Sequence, residues 1–188
     1  MDKLSPIGEY HLQGMREMAS AFLLKAGGEF EFYFSYGALD RFGKGKWELK
    51  DDHLFFNSAP KPASDFTLIE SNKSAENFIN IKIKEGNPVL LHNVFCSLDN
   101  GGTWEQMSQY GDVQFPMQEI KSISLILEFC GERFSTIPVT TKDHNEFVFQ
   151  FEPSIMEVFF SDFSLSVIGE GLIGGHPLIK GEEFNYAK

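Results

Sequence analysis

The residues best placed to do chemistry lie in one short tract, Tyr36-Gly37-Ala38-Leu39-Asp40-Arg41-Phe42-Gly43-Lys44-Gly45. A phenol, a carboxylate, a guanidinium and an aromatic ring on a glycine-rich connection could hold a ligand, because rigid flanking strands can present a binding loop. Tyr36, Asp40, Arg41 and Phe42 are therefore the expected ligand-binding residues, set against the plainer reading of a structural loop with an Asp40–Arg41 surface pair.

Other spacings match reactive motifs and lack the context that makes them work. Gly169-Glu170-Gly171-Leu172-Ile173-Gly174 has the spacing of a dinucleotide-binding turn, which needs a following helix and a parallel strand. Only 14 residues remain, beginning Gly175-His176-Pro177, so a glycine-rich turn is expected. Ser58-Ala59-Pro60-Lys61 has the serine–lysine spacing of an acyl-enzyme pair, but Pro60 and Pro62 forbid the helix that would bring the amine to the hydroxyl. The five histidines form no metal-ligand spacing. His53 and His144 follow aspartates at expected turns, and His11, His92 and His176 stand isolated. Neither a catalytic constellation, a metal site nor a cofactor is expected. Cys96 and Cys130 read as two buried thiols, with a bridge between them not favoured.

The elements that carry these residues are strands. Phe30, Phe32, Phe34 and Tyr36 alternate with Glu29, Glu31, Tyr33 and Ser35, which is the period of a strand with one face in a core. Similar alternation recurs around Ile79–Ile83, Ile123–Leu127, Phe147–Phe151 and Phe163–Val167, with turn residues at short intervals. Met15–Lys25 fits a helical stripe or a strand, and the Gly27-Gly28 turn running into Glu29 favours a hairpin. A short helix near Pro116–Ile120 is weakly signalled. Short strands joined by hairpins predict an all-β protein with little helix.

The break at Ser58-Ala59-Pro60-Lys61-Pro62-Ala63-Ser64 divides the chain. Residues 8–58 form a β meander, residues 59–65 a linker and residues 66–161 a β-sandwich. Five strands alone would leave an open half-barrel with bare edges, so residues 163–188 are expected to return and complete the first domain.

Tyr10-x-Leu12-x-Gly14, Glu17, Ala19-Ser20, Gly28-x-Phe30, Ser35 to Asp40 and Gly45-x-Trp47 resemble the N-terminal part of uncharacterised small bacterial proteins with a lipocalin-like strand pattern. The resemblance covers residues 8–58. Ile79–Ile83, Gly86-Asn87-Pro88, Val94–Leu98 and Val113-x-Phe115 look like a transthyretin-like or carboxypeptidase-regulatory-like sandwich. Ser97-Leu98-Asp99-Asn100-Gly101-Gly102-Thr103-Trp104 fits the Asp-box hairpin of sialidase-type propellers. A propeller repeats its box in at least four blades, and a single box implies only a structural turn. In it, Ser97, Asp99, Gly101, Thr103 and Trp104 hold the hairpin: the Asp99 carboxylate takes N–H groups of the turn and Trp104 packs beneath.

Composition narrows the partner. The chain has 188 residues with 16 basic and 27 acidic side chains, a net charge of −11, and 20 phenylalanines. An acidic chain with three arginines lacks the clustered cations that bind phosphate backbones, so nucleic acid is not an expected partner. No apolar run is long enough to span a membrane. The chain as written has no export signal and reads as cytoplasmic, or periplasmic if such a signal has been removed. The expected function is a non-catalytic binding or interaction module for a protein, a glycan or a small ligand. Alternatives are a carrier of a small apolar ligand in the aromatic-lined half-barrel, a homodimer, and a small hydrolase using Asp40 with His53.

Overall fold

A computed structural model describes residues 5–85, 87–99, 102–181 and 183–188, and these are nearly all β. They divide into two units, residues 1–61 with 156–188, and residues 62–155. The second is thus inserted in the chain of the first.

The first unit begins with β1 (Gly8–Leu12), β2 (Met18–Lys25), β3 (Glu29–Tyr36), β4 (Leu39–Lys50) and β5 (His53–Asn57). Of the ambiguous stretch Met15–Lys25, Met18–Lys25 is strand and residues 15–17 lead into it outside regular structure. The pattern of β3 is strictly two-fold, with Phe30, Phe32 and Phe34 buried and Glu29, Glu31 and Tyr33 exposed. Asp51 and Asp52, which join β4 to β5, both take positive φ (46° and 62°), the backbone of a tight turn whose twist matches the strands it joins.

The inserted unit contributes β6 (Phe66–Asn72), β7 (Phe78–Ile83), α1 (Pro88–His92), β8 (Val94–Leu98), β9 (Glu105–Gln106), β10 (Asp112–Pro116), β11 (Ser122–Leu127), a 3-10 turn (Glu128–Cys130), β12 (Ser135–Pro138) and β13 (Glu146–Phe151). The chain then returns to the first unit with β14 (Phe163–Ile168), β15 (Gly171–Gly174) and β16 (Phe184–Ala187).

The expected half-barrel is a closed barrel in the order β1-β16-β15-β14-β5-β4-β3-β2. β14 pairs with β5 through Leu165 and Leu54, and β16 closes on β1 through Tyr186 and Leu12. Closure removes every bare edge. The interior is packed with rings. Phe22, fully buried, has ring centroids of Phe32 and Phe56 at 4.9 Å, Tyr186 at 5.5 Å and Phe160 at 5.9 Å.

Two positions on β4 have room only for glycine. A Cβ on Gly45 would lie 2.1 Å from the Asn57 carbonyl oxygen, and one on Gly43 would lie 2.7 Å from both the Phe160 ring and the Val158 carbonyl oxygen. At Gly45 the crowding comes from the end of the neighbouring strand β5; at Gly43 it comes from the segment Met156–Phe160, which falls in the stretch expected to be sandwich. It runs beside the part of β4 that β5 does not reach, with Val158 N donating to Phe42 O at 2.7 Å and Ser58 N to Phe160 O at 2.9 Å.

The inserted unit holds two four-stranded sheets, β10-β7-β13-β6 and β12-β11-β8-β9, with β7 and β13 parallel. Its core is largely aliphatic: Ile79, Ile81, Ile83, Val94, Ile123, Leu125 and Leu127 are buried. Asp65, expected in a linker, is buried with its carboxylate 3.0 Å from Arg133 Nε. Its backbone carbonyl accepts Glu152 N at 2.9 Å, and Arg133 also donates to the Ile155 carbonyl. Residues 117–121 form no helix. The α-helix sits instead at Pro88–His92, where Asn87 caps it by accepting Val89 N and Pro88 occupies the first turn. No helix among the described residues is long and apolar enough to cross a membrane.

Candidate functional site

The barrel surface formed by β1 to β4 is built in rows set by the strand register. Ala21 stands opposite Tyr33, and Tyr33 opposite Phe42. The next row runs Glu9, Leu23, Glu31, Lys44, and the one beyond it Lys25, Glu29, Lys46. Tyr33 and Phe42 are 46% and 47% exposed, so two adjacent rings stand half out of the protein. Ala21 is too short to fill the space beside them. A groove of about 360 Å³ lies there, over Ala21 and Leu23, with Glu9, Glu31 and Lys44 around it.

A second groove of about 610 Å³ shares Glu31 and Lys44 with the first and continues past Lys25, Glu29, Lys46 and Glu157. Two ion pairs order its wall, Lys25–Glu31 at 2.5 Å and Lys46–Glu29 at 2.9 Å. The hydrogen bond from Lys46, aided by its charge, holds Glu29 below the usual carboxylate range.

The four residues expected to form one loop site do not share a face. Gly37 and Ala38 are the whole turn, and Asp40, Arg41 and Phe42 belong to β4. Alternation along that strand sends Asp40 and Phe42 outward and Arg41 inward. Arg41 is 2% exposed and donates to the carbonyls of Met156 (3.3 Å) and Glu157 (3.4 Å), so the Asp40–Arg41 surface pair is not formed. Tyr36, half exposed, ends β3 opposite Leu39. Of the four, Phe42 alone lines the grooves, and its partner there is Tyr33, which the sequence reading had placed only on the wet face of β3.

Among the described residues of the hairpin at Ser97, Asp99 takes a positive φ of 50°, and its carboxylate accepts Lys121 N (2.6 Å) and Ser122 N (3.1 Å), tying it to β11. Ser97 is fully buried, Thr103 is exposed, and Trp104 is 38% exposed rather than packed beneath. Gly101 lies outside the described residues.

Two serine–histidine contacts were not legible in the sequence. In the barrel, His176 Nδ1 accepts Leu178 N (3.0 Å) and Ile179 N (3.1 Å), so the proton sits on Nε2, which donates to Ser20 Oγ at 3.0 Å. Ser20 Oγ in turn donates to Tyr33 O at 3.0 Å. Burial pushes His176 down to about 4. A ring whose Nε2 already carries the proton cannot accept one from Ser20, so this pair holds the chain rather than activating the hydroxyl. In the inserted unit Ser71 Oγ lies 2.7 Å from His144 Nδ1, and no carboxylate bonds the other ring nitrogen among the described residues. His53 Nδ1 lies 2.9 Å from the Asp51 carbonyl, so it does not engage Asp40 through that atom.

Cys96 and Cys130 are both buried thiols, with Cys130 Sγ donating to Ile155 O at 3.1 Å. Burial pushes the Cys96 thiol up to about 12, which leaves it protonated and inert. No group of three His, Cys, Asp or Glu side chains among the described residues could hold a metal ion. No protein-family model, curated protein or solved structure matches this chain.

Proposed function

We propose that the chain is a non-catalytic binding module whose ligand meets the outer face of β1 to β4. The observation that carries this reading is the half-exposed Tyr33–Phe42 pair beside a groove, on strands whose other face is fixed by a packed core. Aromatic side chains held on rigid strands lose little freedom on binding, which is why such residues dominate binding energy where they occur. The carrier alternative has less support, because rings of Phe22, Phe30, Phe56 and Phe160 meet at the barrel centre, with Phe30 and Phe160 at 5.0 Å. The eight-stranded antiparallel order supports the lipocalin-like resemblance of residues 8–58 as a matter of scaffold, with the ligand site moved from the inside to the outside.

The test is capture from the source cell's extract with the wild-type chain and with Tyr33→Ser/Phe42→Ser as bait, read by mass spectrometry. A binder retained by the wild type and lost from a variant with unchanged circular dichroism is the expected result. Binders retained equally by both baits would overturn the assignment of the face. An apolar fluorophore gives a second check: saturable binding that survives the double substitution would restore the interior carrier. Light scattering separates a homodimer, which would use the same exposed rings for self-association.

A further inference from the structure

We infer that the two joined grooves on the barrel bind a neutral oligosaccharide, its sugar rings lying against Tyr33 and Phe42 and its hydroxyl groups reaching the charged row that follows. This rests on the binding-face reading above and names the ligand class for it. Three observations favour it.

The first is charge. The whole chain carries 16 basic and 27 acidic side chains, yet the larger groove brings together Lys25, Lys44 and Lys46 with Glu29, Glu31 and Glu157. An acidic protein has here a locally balanced surface. Over the two grooves together, with Glu9 added by the smaller, a cationic ligand would meet three ammonium groups and an anionic one four carboxylates, and four of these seven charges are already paired as Lys25–Glu31 and Lys46–Glu29, so neither gains much from the site as a whole. A neutral polyol gains from both, because each hydroxyl donates to a carboxylate and accepts from an ammonium.

The second is the order of the groups. Apolar ring surface and charged row are adjacent rows of the same strands: Ala21–Tyr33–Phe42, then Leu23–Glu31–Lys44. A sugar has the same division, with C–H groups on its faces that pack on aromatic rings and hydroxyls around its rim.

The third is shape. Grooves of about 360 and 610 Å³ that share Glu31 and Lys44 offer room for several units of a chain rather than a single small molecule. Both are concave, whereas a protein partner of ordinary size needs about 800 Å² of matching surface on each side.

The experiment is a calorimetric titration of the full chain with cellohexaose, maltohexaose and xylohexaose, and in parallel with hexagalacturonate and hexalysine. One neutral hexasaccharide is expected to bind with a dissociation constant of about 1 mM or tighter, with little change on raising the salt concentration. Phe42→Ala and Tyr33→Ala should each weaken it about ten-fold. Lys44→Ala, on an exposed side chain that takes part in neither ion pair, should weaken it less while leaving the fold untouched, so that loss of binding cannot be put down to unfolding. Failure of all three neutral hexamers overturns the inference. If hexalysine or hexagalacturonate binds better and is lost with Phe42→Ala, the ligand class falls and the binding face stands. A neutral hexamer whose affinity is unchanged in all three variants overturns the face as well.

Discussion

The barrel and the inserted unit solve the same problem, burying one side of short strands, with different materials. The barrel fills a closed interior with rings, Phe22, Phe30, Phe32, Phe56 and Phe160 among them, and its largest buried polar group, Arg41, bonds backbone carbonyls. The inserted unit covers open sheets mainly with Ile, Leu and Val, with Phe66, Phe147 and Phe149 also buried, and places a buried ion pair, Asp65–Arg133, near its chain ends. A closed interior has a fixed radius, which large rings fill with few residues. Flat sheets lie close together and favour branched aliphatic side chains. Closure leaves each of the eight barrel strands paired on both sides.

Three changes would break or sharpen this contrast. The largest effect is expected in the inserted unit, where Arg133→Met removes the guanidinium that faces the buried Asp65 carboxylate and should cost about 4 kcal/mol in chemical denaturation. The double change Arg133→Met/Asp65→Leu should recover most of it; no recovery would mean that the pair is not what holds that end of the sheets. In the barrel, the analogue is steric. Gly45→Ala drives a methyl group into the Asn57 carbonyl and should cost about 3 kcal/mol, whereas Gly102→Ala, with nothing within 4 Å, should be close to neutral. Equal melting temperatures for the two variants would show that β4 shifts freely and that the barrel is less tightly built than its packing implies.

The smallest effect is on pH. His176 is neutral in the folded barrel and titrates near 4, below its ordinary 6.5. The unfolded chain therefore binds a proton that the folded one refuses. Its contribution is complete above about pH 6.5 and is lost as the pH falls toward 4, a decline that reaches about 2 kcal/mol at about pH 5. His176→Gln should flatten that part of the stability profile, and an unchanged slope would assign the acid sensitivity elsewhere.

Much of this architecture is legible in the sequence, and the exceptions share a cause. The alternation of Phe30, Phe32 and Phe34 gives β3 its core face directly, since a strand's period is local. Arg41 was misread because glycines 37, 43 and 45 suggested a loop. Taken as strand, Leu39, Arg41, Gly43, Gly45, Trp47 and Leu49 form one inward series, with glycines where Phe160 and Asn57 press in. Asn57 lies on the next strand, but Phe160 and the Met156 carbonyl that Arg41 bonds belong to a stretch of chain about 115 positions away, which leaves no local mark. The same is true of the Tyr33–Phe42 row, which needs the β3–β4 register, and of His176, whose partner Ser20 is 156 residues distant. The helix at Pro88 was readable, as Asn87-Pro88 is a cap followed by a residue preset for the first turn, but the pair equally marks a turn.

The clasp of Asp65 with Glu152 N, Arg133 and, through it, Ile155 has a consequence for how the chain is made. When β5 leaves the ribosome it has no neighbour on its far side, and its partner β14 is about a hundred residues behind. Closing a loop of that length by chance costs about 2–3 kcal/mol more in chain entropy than closing one of a few residues. Once the intervening unit has folded, its entrance and exit are tied side by side, and the flexible span between β5 and β14 shrinks to the short stretches that flank the clasp. A folded insertion thus shortens the loop that the β5–β14 pairing has to close.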